Sequence, residues 1–224
     1  MALILNIDTS TSLCSVCLAE DGILIAEKKD DSGNKHASLL TVLIEQLFKD
    51  ASLNYKDLDA IAVSDGPGSY TGLRIGTSVA KGLCYALDKP LIAVSTLQAL
   101  AFRMVQEVKD DSGIYIPMID ARRMDVYAAL FFATNERLKD DFFMTIDEPS
   151  LRIFDGERSI YFGGTGAEKV KKITNINFGT VIENILCNSS NMCFISYFKY
   201  KQDVFENTTY YEPFYFKEFE GRTK

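Results

Sequence analysis

The residues most able to support chemistry lie in one glycine-rich turn, residues 64–76, with the sequence SDGPGSYTGLRIG. Gly66 and Gly68 flank Pro67, which predicts a sharp and rigid bend because glycine tolerates positive φ whereas proline fixes its own. Thr71 is placed to cap a helix that begins at the next residue. The turn is therefore expected to join a short apolar strand to an amphipathic helix.

Arginines in two predicted turns are candidates for binding an anion or a partner's carboxylate. Arg74 emerges one turn into the predicted helix, where exposed N–H groups and a guanidinium favour negative charge. A simple surface arginine is the alternative, and the sequence leaves both open. Asp120, Arg122 and Arg123 pose a similar choice between a ligand contact and an ion pair that stabilises a turn.

Hydrolytic chemistry has a weak basis in this sequence. Ser69 and Thr71 lie in the glycine turn, but their spacing is not that of a G-x-S-x-G nucleophile motif. His36, the one histidine of the chain, would have to act as the base, and no pattern brings it to them. It also lacks a second histidine one helical turn away to share a metal. We therefore predict no catalytic residue and no metal ligand, with a peptidase as a second alternative function.

The composition is that of an ordinary globular protein: 224 residues, of which 47% are hydrophobic and 25% charged. No apolar stretch reaches the ~18–20 residues that a membrane-spanning helix needs, so no membrane contact is expected. The formal charge is −7, and no basic stripe suggests a direct grip on nucleic acid. A local cluster of Lys169, Lys171 and Lys172 is predicted to be a solvated helix face.

The cysteines favour a reducing compartment. Their number is five, which is odd. Cys14 and Cys17 have C-x-x-C spacing, but a three-residue offset in a strand directs two side chains to opposite faces. A redox or zinc pair is therefore not expected there, and we predict a cytoplasmic protein.

The order of predicted elements begins with three strands and a helix. Residues 2–8 form an apolar strand, and residues 13–20 and 23–29 alternate, with a hairpin signal at Asp21-Gly22 between them. The elements that follow are a helix over 36–50, a strand over 60–64, a helix over 72–87, a strand over 91–94 and a helix to residue 108.

After these elements the pattern starts again, with strands predicted over residues 114–120, 126–133 and 142–146. Three antiparallel strands that feed helices and parallel strands begin a ribonuclease H-like lobe, and two such lobes in tandem form actin, Hsp70 and sugar kinases. We predict an α/β protein of this two-lobed class, each lobe a mixed sheet with flanking helices. The lobes are residues 1–108 and a smaller 109–224, whose aromatic-rich end after residue 177 is left unassigned.

This architecture raises a nucleotide-dependent ATPase or phosphotransferase as an alternative function. Asp8 ends the first strand, where actin-like ATPases place a metal-linked acid. The turn that follows, residues 9–12, has no glycine that would let backbone N–H groups close on phosphate. Gly164 and Gly166 could approach a nucleotide in the second lobe, or they could form a tight turn into a helix. The possible nucleotide-proximal residues are Asp8, Gly164 and Gly166.

Several motifs together resemble the TsaB (YeaZ) family. They cover about residues 1 to 134 closely and the remainder thinly. The motifs are the glycine turn, ILNIDTS at 4–10, KHASLL at 35–40, VSTLQALA at 94–101, IDARRMDVY at 119–127, GGTG at 163–166 and EPFY at 212–215.

The resemblance implies a subunit of the machinery that makes threonylcarbamoyladenosine on tRNA, without chemistry of its own. In that family TsaB pairs with TsaD, a relative of the same fold that carries metal and nucleotide and transfers the threonylcarbamoyl group. TsaE, an ATPase, joins them. The chain is thus expected to need no cofactor of its own, since ATP, ADP and metal are held mainly by its partners, and to meet tRNA through the complex.

The two main predicted helices have more apolar surface than a surface helix requires. In the first helix, apolar residues cover an arc of roughly 180°, against about 100° for an ordinary surface helix. In the second, Gly72, Gly76, Ala80 and Cys84 recur every four residues and form a ridge that another helix can approach closely. Packing against the protein's own sheet is the alternative.

The family resemblance favours an interface on these helices, because it implies that TsaB and TsaD pair through them as a four-helix bundle. The same surface could close on a second copy of the chain as a homodimer. The predicted interface residues are Leu39, Leu40, Leu43, Leu47, Gly72, Arg74, Gly76, Val79, Ala80 and Leu83.

Overall fold

The computed structural model describes residues 1–33, 36–156, 158–173 and 179–216. Lys35 of the KHASLL motif and Asn177, where the unassigned stretch begins, lie outside these ranges. The chain forms two compact units: the first joins residues 1–96 to the segment that starts at Asn188, and the second is Leu97–Cys187.

Ten strands and five α-helices make up the described part of the chain. The strands are β1 (Leu3–Asp8), β2 (Cys14–Glu20), β3 (Ile23–Asp30), β4 (Ala60–Gly66), β5 (Leu91–Ser95), β6 (Ile114–Asp120), β7 (Asp125–Phe132), β8 (Arg137–Thr145), β9 (Ile160–Gly163) and β10 (Gly179–Val181). The helices are α1 (His36–Ala51), α2 (Tyr70–Leu87), α3 (Thr96–Val108), α4 (Glu148–Arg152) and α5 (Cys193–Lys201). Short 3₁₀ helices lie at Tyr55–Asp57, Ala167–Lys172 and Ser189–Met192.

The first unit contains a five-stranded mixed sheet in the order β3-β2-β1-β4-β5. The first three strands are antiparallel, and β4 and β5 run parallel to β1. The predicted hairpin is confirmed, because Asp21 (φ 50°) and Gly22 (φ 81°) both adopt the left-handed conformation that a tight two-residue turn requires.

The two faces of this sheet are covered by different parts of the chain. On one face, α1 and α2 pack against alternate residues such as Val16 and Leu18. On the other, Cys17 and Ala19 contact Cys193 at the start of α5. Since successive strand residues point to opposite faces, the alternation of β2 builds both layers.

The second unit contains a similar five-stranded mixed sheet in the order β10-β9-β6-β7-β8. Here β6, β7 and β8 are antiparallel neighbours, and β9 and β10 continue the sheet in parallel. The predicted restart at Ile114 is confirmed. Strand β8 begins at Arg137, five residues before the predicted strand. The prediction missed its first half because those residues are mostly charged and exposed and carry little apolar signal.

The predicted lobe boundaries differ from the observed units at two places. Helix α3 was assigned to the first lobe, 1–108, but its residues from Leu97 onward pack with Tyr115 and Phe131 of the second sheet. The end of the predicted 109–224 lobe returns to the first unit, where Cys193 and Tyr211 join its core. Both differences arise from contacts between segments far apart in the sequence, and the order of the elements along the chain does not predict such contacts.

Candidate functional site

The glycine turn forms a sharp bend, as predicted, and its conformation requires glycine. Gly66 has φ 117°, and a Cβ built on it would lie 2.5 Å from the carbonyl oxygen of Phe214. The Gly66–Pro67 peptide bond is cis. Because the C-terminal segment lies directly over this residue, the turn is covered on that side by the chain itself.

Helix α2 begins earlier than predicted and has a different cap. Its first residue is Tyr70, and the Ser69 hydroxyl accepts a hydrogen bond from the N–H of Gly72 at 3.3 Å. Ser69 is thus the N-cap, and Thr71 is an exposed residue of the first turn. The correction follows from local geometry, since the extended backbone of Ser69 leaves its side chain free to reach forward.

The start of α2 is locked to the turn after β1. Ser69 N–H donates to the carbonyl of Ser10 at 2.7 Å, and the Thr9 hydroxyl donates to the carbonyl of Gly72 at 2.7 Å. A Cβ on Gly72 would collide with the carbonyl oxygen of Thr9. Glycine at this position therefore allows the backbones of α2 and of the turn after β1 to touch.

Asp8 lies beneath this contact, with 1% of its surface exposed. One carboxylate oxygen accepts hydrogen bonds from the Ser10 N–H at 2.9 Å and the Ser10 hydroxyl at 2.6 Å. Burial raises the pKa of the Asp8 carboxyl, and the hydrogen bonds from Ser10 oppose that rise. Asp8, the acid that the ATPase alternative would use, is therefore a buried group that fixes the turn after β1.

The side chains that the peptidase alternative would use as nucleophile and base each have a structural partner of their own. Ser69 caps α2, and the Nε2 atom of His36 lies 2.8 Å from the carbonyl oxygen of Thr11. His36 is 7% exposed. Both side chains serve the positioning of a helix start.

Arg74 is held between two tyrosines of its own chain. Its guanidinium carbon lies 4.3 Å from the centre of the Tyr70 ring and 5.8 Å from that of Tyr215. Its Nε donates to the Tyr215 hydroxyl at 3.3 Å. This hydrogen bond raises the pKa of Arg74 above its ordinary value. The arginine thus has an intramolecular anchor, while its position on the exposed side of α2 is as predicted.

Tyr215 belongs to a segment that we name the C-terminal strap, residues 206–216. Glu206 N–H donates to the Leu91 carbonyl at 2.9 Å, and Lys81 Nζ donates to the carbonyl of Tyr211 at 3.1 Å. Phe214 N–H donates to the carbonyl of Asp65 at 2.8 Å. The strap therefore runs along α2 and over the glycine turn, a role the sequence did not reveal beyond the EPFY motif.

The ridge of small residues on α2 faces the protein's own sheet, and this corrects the predicted interface. A Cβ on Gly76 would collide with the Thr9 hydroxyl, and Ala80 is fully buried. On α1, the leucines at 40, 43 and 47 lie in the same core. Six of the ten predicted interface residues are thus buried in the chain itself: Leu40, Leu43, Leu47, Gly72, Gly76 and Ala80.

Four predicted interface residues keep exposed surface, namely Leu39, Arg74, Val79 and Leu83. The structure adds two apolar side chains on the same helices that the sequence did not single out. Val42 is 41% exposed and Tyr85 is 91% exposed. Side chains with exposed surface therefore remain at several positions around α1 and α2. For brevity we call this set the helix patch: Leu39, Val42, Arg74, Val79, Leu83 and Tyr85.

In the second unit, Gly164 and Gly166 form a tight turn packed on β6. Gly164 has φ 99°, and a Cβ on it would collide with the carbonyl oxygen of Met118. Gly166 N–H donates to that same carbonyl at 2.9 Å. The contacts favour the tight-turn alternative over an approach to nucleotide.

Lys169 is 5% exposed and fills the turn between β6 and β7. The prediction of a solvated lysine face is therefore wrong for Lys169, whereas Lys171 and Lys172 are exposed as predicted. Its Nζ donates to an Asp120 carboxylate oxygen at 2.7 Å and to the carbonyls of Asp125 at 2.6 Å and Arg122 at 3.3 Å. The ion pair of this turn is thus Asp120–Lys169. Arg122 and Arg123 are exposed, with φ 73° and 44°.

Across residues 1–33, 36–156, 158–173 and 179–216, no group of three or more His, Cys, Asp or Glu residues has the arrangement to hold a metal ion. Within the same ranges, no helix has the length and apolar character to cross a membrane.

The two sheets define the class of protein. The structure is similar to the activator of the 2-hydroxyisocaproyl-CoA dehydratase from Clostridium difficile, with a TM-score of 0.54 at 10% identity over 92% of this chain and 98% of that one. A likeness at this identity shows the fold, which is the predicted two-lobed actin/Hsp70-like fold.

The family follows from closer matches. A model of the TsaD family, tRNA N6-adenosine threonylcarbamoyltransferase, matches residues 30–192. The chain is 37% identical over 136 residues to the tRNA threonylcarbamoyladenosine biosynthesis protein TsaB of Bacillus subtilis, which covers 61% of this chain and 58% of that protein. YeaZ from Pseudomonas aeruginosa superposes with a TM-score of 0.80 at 26% identity, over 96% of this chain and 100% of that one.

The chain belongs to the TsaD family that this model describes, and within it to the TsaB (YeaZ) proteins. The matched region spans little more than half the length of its B. subtilis relative.

Proposed function

We propose that this protein takes part in the biosynthesis of threonylcarbamoyladenosine on tRNA, as a noncatalytic subunit that binds and activates a TsaD-type transferase. The name of the B. subtilis relative supports the pathway, and the match to the transferase family model supports a common fold with that partner. Subunits of one fold can pair through equivalent surfaces, which makes the helix patch the proposed contact.

One observation carries the noncatalytic reading. The turn after β1 is filled by the start of α2, so that the carbonyls of Thr9 and Ser10 meet the backbones of Gly72 and Ser69. Asp8 lies buried under this contact and is engaged by Ser10. An ATPase of this fold would need the carboxylate of Asp8 free for a metal-linked role. It would also need backbone N–H groups of the turn after β1 directed at the phosphate.

The helix patch is the proposed contact because two of its apolar members lie outside the core of the first unit, whereas Val79 and Leu83 pack partly against that core. Tyr85 and Val42 are exposed without belonging to either core of the chain. Aromatic side chains at a protein interface bury a large area at a small cost in side-chain entropy. We propose that ATP, ADP and metal are held mainly by the transferase and a TsaE-type ATPase, that tRNA is reached through the complex, and that the site of action is the cytoplasm.

The test is size-exclusion chromatography with light scattering on the chain alone and mixed with the TsaD-type transferase of the same organism. We expect a one-to-one complex, and at least a tenfold loss of affinity for a Val42→Asp/Tyr85→Asp variant, because a carboxylate would be buried in an apolar contact. Ile153→Asp is the matched control, since Ile153 is 65% exposed in the second unit. Gly76→Arg is unsuitable here because Gly76 faces the chain's own sheet.

A second measurement separates binding from activation. The transferase is assayed for modification of tRNA with threonylcarbamoyl-adenylate supplied, with the native chain, the patch variant or the control added. Stimulation by the native chain and the control, lost in the patch variant, supports the proposal. A folded native chain that neither binds the transferase nor stimulates it contradicts the proposal.

Other outcomes identify the alternatives. One-to-one ATP binding by the isolated chain, lost in a folded Asp8→Ala variant, supports the ATPase alternative, and protein cleavage lost on Ser69→Ala supports the peptidase. If the native chain has twice its monomer mass and the patch variant has the monomer mass, the chain forms a homodimer through the helix patch.

A further inference from the structure

Two thiols far apart in the chain lie side by side inside the first unit. The Sγ atoms of Cys17 on β2 and Cys193 at the first residue of α5 are 3.5 Å apart, across a separation of 176 residues. Their residues are 0% and 4% exposed, and with Ala19 they form a small cluster of their own. The other three cysteines, Cys14, Cys84 and Cys187, lie in other apolar clusters.

We propose that Cys17 and Cys193 form a modification site, an intramolecular disulfide made and broken by exchange with small-molecule disulfides and thiols. The sulfur atoms must approach by about 1.5 Å to reach the ~2.05 Å bond length, a movement within reach of side-chain rotation. The packing of α5 on β2 already holds the two residues in one buried cluster.

The exchange balances with a small disulfide as the only other reactant. The Cys193 thiolate attacks one sulfur of the small disulfide and releases one small thiol, which leaves a mixed disulfide on Cys193. The Cys17 thiolate then attacks the Cys193 sulfur and releases the second small thiol. One sulfur–sulfur bond is broken and one formed, and the two protein thiols lose their protons to the two small thiols.

Access to the pair depends on α5. Both thiols are buried, and burial raises the pKa of the Cys17 thiol, which disfavours its reactive form. Helix α5 has nine residues and no side-chain N-cap, and such short elements open at lower free energy than the whole domain. Oxidation is therefore expected to be slow and to be accelerated by conditions that open α5.

The bond would have a definite structural effect. The first unit is assembled from two segments of chain that are interrupted by the second unit. A bond between Cys17 and Cys193 joins these segments covalently, so that the second unit becomes an insertion in a closed loop. The oxidised first unit should resist separation of its two segments even when the connecting chain is cut.

The experiment uses the full chain, reduced and then incubated with oxidised glutathione with and without mild urea. Free thiols are trapped with N-ethylmaleimide under denaturing conditions and counted by intact mass. We expect the oxidised protein to take up three maleimides rather than five, since two of its five cysteine thiols are consumed. Peptide mapping should give one cross-linked pair that contains Cys17 and Cys193.

Limited proteolysis supplies a second readout. After cleavage within the second unit, the oxidised protein should run as one band without reductant and as two bands with it. Cys193→Ala and Cys17→Ala should give two bands in both lanes, whereas Cys14→Ala and Cys187→Ala should behave as the native chain. If a buried variant fails to fold, the peptide map of the native chain still decides.

Three results overturn the proposal. They are five maleimides after incubation in urea that opens α5, glutathione adducts without a cross-link, and a cross-link between other cysteines. If the Cys17–Cys193 cross-link formed at the same rate with and without mild urea, the proposed control of access by α5 would be contradicted.

Discussion

Tyr211 of the C-terminal strap donates a hydrogen bond of 2.8 Å from its hydroxyl to a carboxylate oxygen of Asp65, the second residue of the glycine turn. Tyr211 is 8% exposed and also packs in the core of the first unit. Burial raises the pKa of the Asp65 carboxyl, and the bond from Tyr211 partly offsets this rise. The C-terminal strap thus stabilises the conformation of the glycine turn, 146 residues earlier in the sequence.

Tyr211→Phe should destabilise the protein by about 1–3 kcal/mol, because it leaves a largely buried carboxylate without one of its donors. Urea unfolding, followed by a probe in the first unit, measures the change. Tyr210→Phe is the matched control, since Tyr210 is the adjacent residue and is 81% exposed. Equal stability of the two variants would show that the strap does not hold the turn.

The burial of Asp8 predicts a pH dependence of stability with a definite sign. Its pKa in the folded state lies above the ordinary value of 3.8, with desolvation as the main cause. The folded state therefore retains this proton at pH values where the unfolded chain has released it. The contribution of Asp8 to stability is most favourable at low pH and declines as pH rises from the unfolded pKa through the raised folded pKa.

Asp8→Asn should remove this decline. The stability of the variant relative to the native chain should rise across that pH interval and then level off, by about 1.4 kcal/mol for each unit by which the pKa is raised. Urea unfolding at a series of pH values measures the difference. Asp50→Asn provides a control of opposite sign: the Lys28 ion pair lowers the pKa of this exposed carboxyl, so its variant should not gain stability with rising pH. A flat difference for Asp8→Asn would refute the argument.

Sequence patterns predicted the elements of the first unit well because each has its own local signal. An apolar run predicts β1, and alternation with a two-residue turn predicts the hairpin of β2 and β3. Helical periodicity predicts α1 and α2. By contrast, α5 at Cys193–Lys201 was left unassigned. Its aromatic residues are exposed on one side, with Phe194 and Phe198 both about half exposed, so its apolar pattern does not mark a buried face.

The direction in which a helix face points could not be predicted from the sequence alone. The ridge at Gly72 and Gly76 is equally compatible with a partner helix and with the chain's own backbone, since both need small residues. The deciding contact is with Thr9, more than 60 residues earlier. Lys169 shows the same limit, because its three acceptors lie on a different turn of the chain.

The glycines of α2 provide a test of this packing within one helix. Gly72→Ala should destabilise the protein by more than about 2 kcal/mol, because the added methyl group meets a backbone carbonyl that cannot move without displacing β1. Gly82→Ala should instead be neutral or stabilise by up to about 1 kcal/mol, since a Cβ there meets nothing within 4 Å and alanine favours the helix. Thermal unfolding of the two variants beside the native chain measures both. Tolerance of alanine at residue 72 would contradict the close contact with Thr9.

Lys169→Met should destabilise the second unit by about 1–3 kcal/mol, because it removes the donor that serves the Asp120 carboxylate and two backbone carbonyls in the turn between β6 and β7. Methionine keeps most of the side-chain volume, so the loss reports on the ammonium group and not on a cavity. Lys172→Met is the matched control on the same 3₁₀ helix, where the side chain is exposed. Urea unfolding measures the loss, and amide exchange of the turn residues locates it. The geometry predicts faster amide exchange that is confined to residues 120–125 and occurs only in Lys169→Met. Equal stability of the two variants would instead mean that water serves these acceptors as well as Lys169 does.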